Sequence, residues 1–226
     1  MKFEHTEVWG FEHAIRGMRN PMNSWNKSDS ANCAQCSTDT VDSCPYVKPY
    51  YQCYGTQNFI IGDNDIKLAQ KLIQSGGEHR KFMRQIFVSV DITAPLYWWK
   101  EFDTYKVATV ANSTSTMHKI HAKPFSLEDF SHDHLSENAV AALNTLIDFL
   151  EQTRLRYVQT KNKADWYDLI QLLPSSYEQL RTVTLNYETL TNMYHARHYH
   201  RLEEWRTFCD MIQQLPYAAE LICTKD

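Results

Sequence analysis

The sequence predicts an α/β (α+β) fold, a small mixed or antiparallel sheet with helices packed on it, and three patterns carry that prediction. Ile86, Val88, Val90 and Ile92 alternate with Phe87, Ser89 and Asp91, a period of two that gives a strand one apolar and one mixed face. Val183 and Leu185 alternate in the same way with Thr182, Thr184 and Asn186. Between these strands Ala139, Val140, Leu143, Leu146, Ile147 and Leu150 form an apolar stripe at helical spacing, the mark of an amphipathic helix lying on a core. With 226 residues and no internal repeat, the chain is long enough for one sizeable core. One domain is expected over residues 1–226, interrupted by a Cys-, Ser- and Tyr-rich insertion at about 22–62.

In chain order, a short strand is expected near Glu7–Trp9, then a helix from Ala14 to Arg19 that Asn20-Pro21 stops, since a residue before proline is pushed out of the helical region. The insertion from Met22 to Gly62 shows no sustained period, so a long loop is expected there. Ile66, Ala69, Leu72 and Ile73 mark one face of a helix introduced by Asp63 or Asn64 and closed by Gly76-Gly77. It delivers His79 to the first core strand. Ala94-Pro95 ends that strand, and Pro95, whose missing N–H costs nothing in a first turn, opens a short aromatic helix through Leu96, Tyr97, Trp98, Trp99 and Phe102.

From Thr109 to Thr116 the residues are small or hydroxylic, which favours a loop that offers hydrogen bonds to a polar ligand. Ser126 and Asp129 have capping-box spacing. A helix near Trp166–Leu172 ends before Pro174, and after the second strand Leu190, Met193 and Tyr194 resume helical spacing toward Arg197, with Leu202, Trp205, Cys209 and Ile212 continuing it. Cys209 and Cys223 read as buried structural thiols.

A formal charge of −4 and a pI near 6.2 give no basic footprint, which argues against duplex nucleic acid as a partner. No apolar run approaches the roughly 18 residues a membrane span needs. The start Met1-Lys2-Phe3-Glu4-His5 lacks the apolar core of a signal peptide, so a cytoplasmic location is expected, and six cysteines there do not suggest a disulfide framework.

The run from Ala94 to Thr109 resembles the flavin-dependent thymidylate synthases, whose pattern is strand, Ala-Pro, helix, Arg-His-Arg and, after seven residues, Ser. Here Thr104-Tyr105-Lys106 stands where Arg-His-Arg belongs, and Ser115 meets the motif Ser after one inserted residue. Leu173-Pro174 through Arg197 also follows the family without gaps, including Thr184, Asn186, Leu190 and Asn192. The resemblance implies methylation of dUMP, or a related pyrimidine nucleotide, at C5. It further implies FAD as cofactor, methylene-tetrahydrofolate as one-carbon donor, NADPH to reload the flavin, and a homotetramer whose sites form between subunits.

On the same resemblance Glu101, Ser115 and Arg197 contact the nucleotide, and His79, Lys106, Asn186, Asn192 and His195 lie near the flavin. Each has a plainer reading. Glu101 stands in place of a Gln, keeping an acceptor but adding a negative charge, and it reads also as a solvated helix carboxylate. Arg197 reads also as a surface ion pair, Asn186 as a capped strand end, His79 as an exposed turn residue. Lys106 keeps one cation of the triplet without an arginine's fork, and Tyr105 reads as a stacking partner for a ring or as packing between helices.

Cys33, Cys36, Cys44 and Cys53 are candidate zinc ligands, but only one pair has Cys-x2-Cys spacing, so loose thiols are favoured over zinc. His195, His198, His200 and Glu203 suggest a second ligand set, opposed by the two-residue separation that turns His198 and His200 apart on a helix. Two alternatives to the synthase stay open: a non-catalytic nucleotide-binding or assembly protein on the same fold, and a flavin-dependent enzyme that modifies pyrimidines differently.

Overall fold

Where alternation and stripe coincide with buried positions the chain forms the expected elements, and the computed structural model describes residues 1–32 and 59–224. The elements are β1 (Lys2–Trp9), α1 (Phe11–Arg19), β2 (Ala31–Asn32), β3 (Phe59–Ile60), α2 (Asp63–Gln74), β4 (Phe87–Pro95), α3 (Leu96–Phe102) and β5 (Val110–Ser113), followed by α4 (Glu137–Thr160), α5 (Lys163–Gln171), β6 (Glu178–Asn186), α6 (Tyr187–Arg197), α7 (Glu203–Gln213) and α8 (Ala218–Leu221). A 3-10 stretch, Arg80–Gln85, leads into β4. One sheet has the order β1-β4-β6-β5, and β2 pairs antiparallel with β3, Ala31 opposite Ile60. Side-chain bonds from Thr182 to Asp91 (2.5 Å) and from Thr184 to Ser89 (3.3 Å) advance along one strand as they retreat along the other, so β4 and β6 run antiparallel.

The described residues form two compact units. The first takes in Met1–Lys2, Asp91–Thr104 and Ala111–Thr182. Its core joins Ile120, Phe125, Phe130, Leu143, Ile147, Leu150, Leu169 and Tyr177. The stripe read from the sequence supplies the α4 side of it, because residues three and four apart share a helix face. Ser136 caps α4 by accepting from Ala139 N (3.4 Å), and Asn162 caps α5 by accepting from Ala164 N (3.0 Å). The capping box between Ser126 and Asp129 is formed. On α3, Trp98, Trp99 and Phe102 are buried, and the Trp99 indole donates to the Gln179 carbonyl (3.0 Å) while the Arg181 guanidinium lies 4.2 Å from its ring centre.

The second unit takes in Phe3–Val90, Tyr105–Val110 and Val183–Asp226. In it α1 buries Phe11, Ala14, Ile15 and Met18, and α7 buries Trp205, Phe208, Cys209 and Ile212. Gly10 has φ of 99°, and a Cβ there would stand 2.0 Å from the Gln85 carbonyl oxygen, so only glycine fits this turn. Arg19, last residue of α1, donates through Nε to Asp65 Oδ1 (2.5 Å), and the same carboxylate accepts from Ser28 Oγ (2.6 Å), Ser30 N (3.2 Å) and Ser30 Oγ (2.6 Å). Burial pushes the Asp65 carboxyl upward, but the bonds from Ser28, Ser30 and Arg19 outweigh it and hold the group below its ordinary value.

Four local expectations change. β1 begins at Lys2 rather than Glu7, and α1 at Phe11 rather than Ala14, because the bend needed between them is supplied by Gly10. The start of α2 is capped from outside: Asp29 accepts from the backbone N–H groups of Asn64 (2.9 Å) and Asp65 (3.2 Å). A Cβ on Gly62 would meet the Asp29 carboxyl carbon at 2.3 Å, so the cap needs a glycine beside it. The hydroxyl-rich segment holds a strand, β5, at the sheet edge; its four residues are exposed, and exposure on both faces removes the alternation that would have marked it. The helix expected to continue past Arg197 stops there and restarts at Glu203. The four cysteines of the proposed zinc knuckle lie outside the described residues.

Candidate functional site

Within the second unit, α6 is a spine to which three other segments attach. It starts at Asn186, a buried residue whose Oδ1 accepts the Thr189 N–H (2.9 Å), an N-cap that meets one of the open donors of the first turn. The carboxamide oxygen is thereby engaged within the helix.

Behind this first turn stands the stretch that begins at His79. Arg80 Nη2 donates to Asn192 Oδ1 (3.1 Å), and its Nε lies 3.6 Å from Glu188 Oε1. Arg84 makes a two-point ion pair with the same Glu188, through Nε and through Nη2 at 3.3 Å. The Glu188 carboxylate raises the Arg84 guanidinium above its ordinary range through hydrogen bonding and charge. His79 is exposed at the turn that follows Gly76, its N–H donating to the Gly76 carbonyl (3.0 Å).

The second attachment is the loop that carries Lys106, and α7, through Trp205, is the third. Thr189 Oγ1 donates to the Val107 carbonyl (3.2 Å), and Arg197 Nε donates to the Tyr105 hydroxyl (2.8 Å). Both neighbours of Lys106 are thus fastened to α6, and its exposed ammonium is presented from a fixed backbone. The Arg197 guanidinium lies 5.6 Å from the Tyr105 ring centre and 5.0 Å from that of Trp205, both within cation–π range. His195 is half-buried, with Tyr194 and His198 rings at 5.6 and 6.3 Å. Its Nε2 is buried without a hydrogen-bond partner among the described residues, whereas the Arg80 Nε, buried and beyond hydrogen-bond reach of any of them, is ion-paired with Glu188.

Six of the eight residues singled out from the sequence therefore belong to this corner: His79, Lys106, Asn186, Asn192, His195 and Arg197. Glu101 and Ser115 belong to the first unit. Glu101 sits half-buried on α3, its carbonyl accepting from Thr104 N (3.1 Å) and Thr104 Oγ1 (2.7 Å). Ser115 is half-buried too, and its hydroxyl accepts the His118 N–H (2.9 Å), closing a turn. Sequence reading missed Arg80, although a cation next to His79 was a signal within reach. It took Trp205 only as core, and nothing local announces that an indole eight positions past Arg197 returns to it.

Near this corner Cys209 is buried, and its thiol is pushed up to about 12 by burial and by Asp210 and Cys223, against the opposing charge of Arg197. It stays a thiol at neutral pH. Cys223 is half-buried and raised by burial. His198 Nδ1 lies 2.8 Å from the Tyr194 carbonyl, and His200 Nδ1 accepts the Leu202 N–H (3.1 Å). Among the described residues no group of three or more His, Cys, Asp or Glu is arranged to hold a metal ion, and no helix is long and apolar enough to cross a membrane.

No protein-family model matches the sequence, and no curated protein matches it. Solved structures do match its fold. A crystal structure of the flavin-dependent thymidylate synthase ThyX from Helicobacter pylori, complexed with FAD and dUMP, superposes with a TM-score of 0.65 at 15% identity over 100% of both chains. A second structure of thymidylate synthase X from the same organism, also with FAD and dUMP, gives 0.68 at 14% identity, covering 99% of this chain and 98% of that one. The chain has the fold of these enzymes, helices combined with an antiparallel sheet, over its whole length.

Proposed function

We propose that the protein acts on a pyrimidine nucleotide as a flavin-dependent thymidylate synthase-like enzyme, methylating dUMP or a close relative at C5 with a folate one-carbon donor. The observation that carries this reading is the α6 corner, where Arg80 bonds to Asn192, Arg197 to Tyr105 and Thr189 to the loop that carries Lys106, in a fold shared with an enzyme complexed with FAD and dUMP.

FAD would be held by His79, Lys106, Asn186, Asn192 and His195, with Arg80 added, and the buried His195 Nε2, which has no hydrogen-bond partner among the described residues, is compatible with it. Bound there, the flavin supplies hydride, and NADPH recharges it. The chain's own residues bind and orient. Arg197 grips the nucleotide with a planar fork. Lys106 adds a point charge from a loop whose neighbours are fastened, so little order is lost on binding. The resemblance also implies Ser115 and Glu101 as nucleotide contacts, Glu101 as an acceptor that disfavours a nearby phosphate. Orientation is most of the protein's contribution where a cofactor carries the redox step. A homotetramer in the cytoplasm is part of the proposal.

A second reading, a nucleotide-binding protein without catalysis, is favoured by one observation. Of the three residues at the Arg-His-Arg position, Thr104 bonds its hydroxyl to Glu101 O and Tyr105 accepts from Arg197, leaving only Lys106 as a cation. A flavin enzyme of other pyrimidine specificity is the third. Two measurements separate them: the visible flavin spectrum of the purified protein before and after soaking with FAD, and rescue of a thymidine-requiring strain. Flavin uptake with rescue is expected. Uptake without rescue selects the third reading, and dUMP binding by a colourless protein that takes up no flavin selects the second.

A further inference from the structure

We infer that the protein carries a second ligand site, a cleft between β1 and α7 that takes a small organic ammonium ion, independently of the nucleotide reading. The cleft holds about 350 Å³, near the lower end of the roughly 300–1,000 Å³ that ligand pockets span, so it suits a single ring or a short chain. Its walls come wholly from the second unit. Thr207, Asp210, Met211 and Gln214 line it at helical spacing, which places them on one face of α7, and Leu215 follows just past the helix end. From β1 come Phe3 and Thr6. Residues three apart on a regular strand point to opposite sides. Between these two stands His5, whose φ of 51° lies in the left-handed region that residues other than glycine rarely enter. That break in the alternation brings both side chains to the cleft.

The lining fixes the class of guest. Asp210 is the one charge in it, and neither the Asp210 carboxylate nor the Gln214 carboxamide has a hydrogen bond or ion pair among the described residues. Arg206, one turn earlier on α7, is the cation spaced to answer Asp210. It gives its Nη1 instead to the carbonyls of His200 (2.8 Å) and Arg201 (3.0 Å). Phe3, Met211 and Leu215 supply apolar surface, with the Phe3 ring centre 6.2 Å from that of the buried Phe208. An ammonium head therefore meets Asp210 and the Gln214 oxygen, while a hydrocarbon body lies against the three apolar side chains. A phosphate finds no cation here and faces a carboxylate, so nucleotides and flavin phosphates are poor guests for this cleft.

The test uses the full-length protein with phenethylammonium as probe, and phenethyl alcohol and phenylpropionate as its neutral and anionic counterparts. Each is titrated while the methyl resonances of Thr207, Met211 and Leu215 are followed. Saturable shifts with a Kd of about 1 mM are expected for the ammonium, a Kd at least about tenfold weaker for the alcohol, and no shift for the carboxylate. Asp210→Asn keeps the side-chain size at an exposed position. It is expected to weaken the ammonium about tenfold and to leave the alcohol within about twofold. Equal affinity for ammonium and alcohol overturns the inference, since the cleft is then an apolar dent without choice of charge. So does an ammonium affinity that Asp210→Asn leaves unchanged, or the absence of shifts up to about 20 mM. The wild-type comparison of the three probes decides the matter without any variant, and neither FAD nor dUMP enters the readout, so failure of the nucleotide reading leaves it intact.

Discussion

Arg19 and Arg197 are each the last residue of a helix, and each donates its Nε–H to one oxygen at short range, yet the two surroundings make different things of the same side chain. Arg19 is 5% exposed and Asp65 is 0% exposed. Its guanidinium is answered by a carboxylate, and its Nη1 by the Ser24 carbonyl at 3.2 Å. Arg197 is half-buried, its Nε met by a phenol and its face by two rings. A carboxylate grip buried this deeply is an internal fastening that ties α1 to α2. A grip by phenol and ring faces fixes direction in a part of the molecule that solvent reaches. Burial, rather than residue type or helix position, separates the structural arginine from the candidate binding one.

The largest effect should come from breaking the first grip. Asp65→Ala leaves the Arg19 charge buried without its partner and is expected to cost about 3–5 kcal/mol in urea unfolding; a loss below 1 kcal/mol would erase the distinction. Next, Arg197→Ala should weaken dUMP binding by about 1.5–3 kcal/mol while changing unfolding free energy by less than about 1 kcal/mol. The reverse pattern, lost stability with intact affinity, would make Arg197 a second Arg19.

Acid sharpens the contrast. The Asp65 carboxyl titrates below its ordinary value of 3.8, so the stability it contributes is fully present above that value and is lost as pH falls through the lowered one. The difference in unfolding free energy between wild type and Asp65→Asn should be flat from neutral pH down to about 4 and shrink below it; a difference that grows in acid would contradict the lowered value. Smallest is Asn186→Ala, which removes the α6 cap and should cost about 1 kcal/mol, read by thermal melting. A loss of FAD affinity larger than that cap accounts for would assign Asn186 to the ligand as well.

How much of this was legible in the sequence follows from which interactions are local. The α4 stripe could be read because Leu143, Ile147 and Leu150 face one core at helical spacing, and β4 because its alternation is unbroken from Phe87 to Ala94. The α6 helix has weaker patterning, since only Tyr187, Leu190, Thr191 and Met193 are buried and, Ala196 apart, the rest is polar; its candidate residues were named from the family pattern instead. The Arg19–Asp65 pair, 46 residues apart, and the Arg197–Tyr105 pair, 92 apart, were not legible as pairs, because spacing rules reach only three or four residues along a helix or two along a strand. The N-cap of α2 escaped for the same reason: the side chain that caps it, Asp29, comes from more than thirty residues upstream.

The interruption between Arg197 and Glu203 governs more than the direction of the chain. An unbroken helix rising 1.5 Å per residue would have carried the Trp205 indole about 12 Å beyond Arg197, and the elbow folds that distance back to 5.0 Å. The aromatic floor under the guanidinium is therefore set by the elbow, whose His200 bonds the Arg197 carbonyl (2.8 Å) and meets the Trp205 ring at 6.2 Å, and lengthening it by one position is a way to re-aim the arginine while every side chain of the corner keeps its identity.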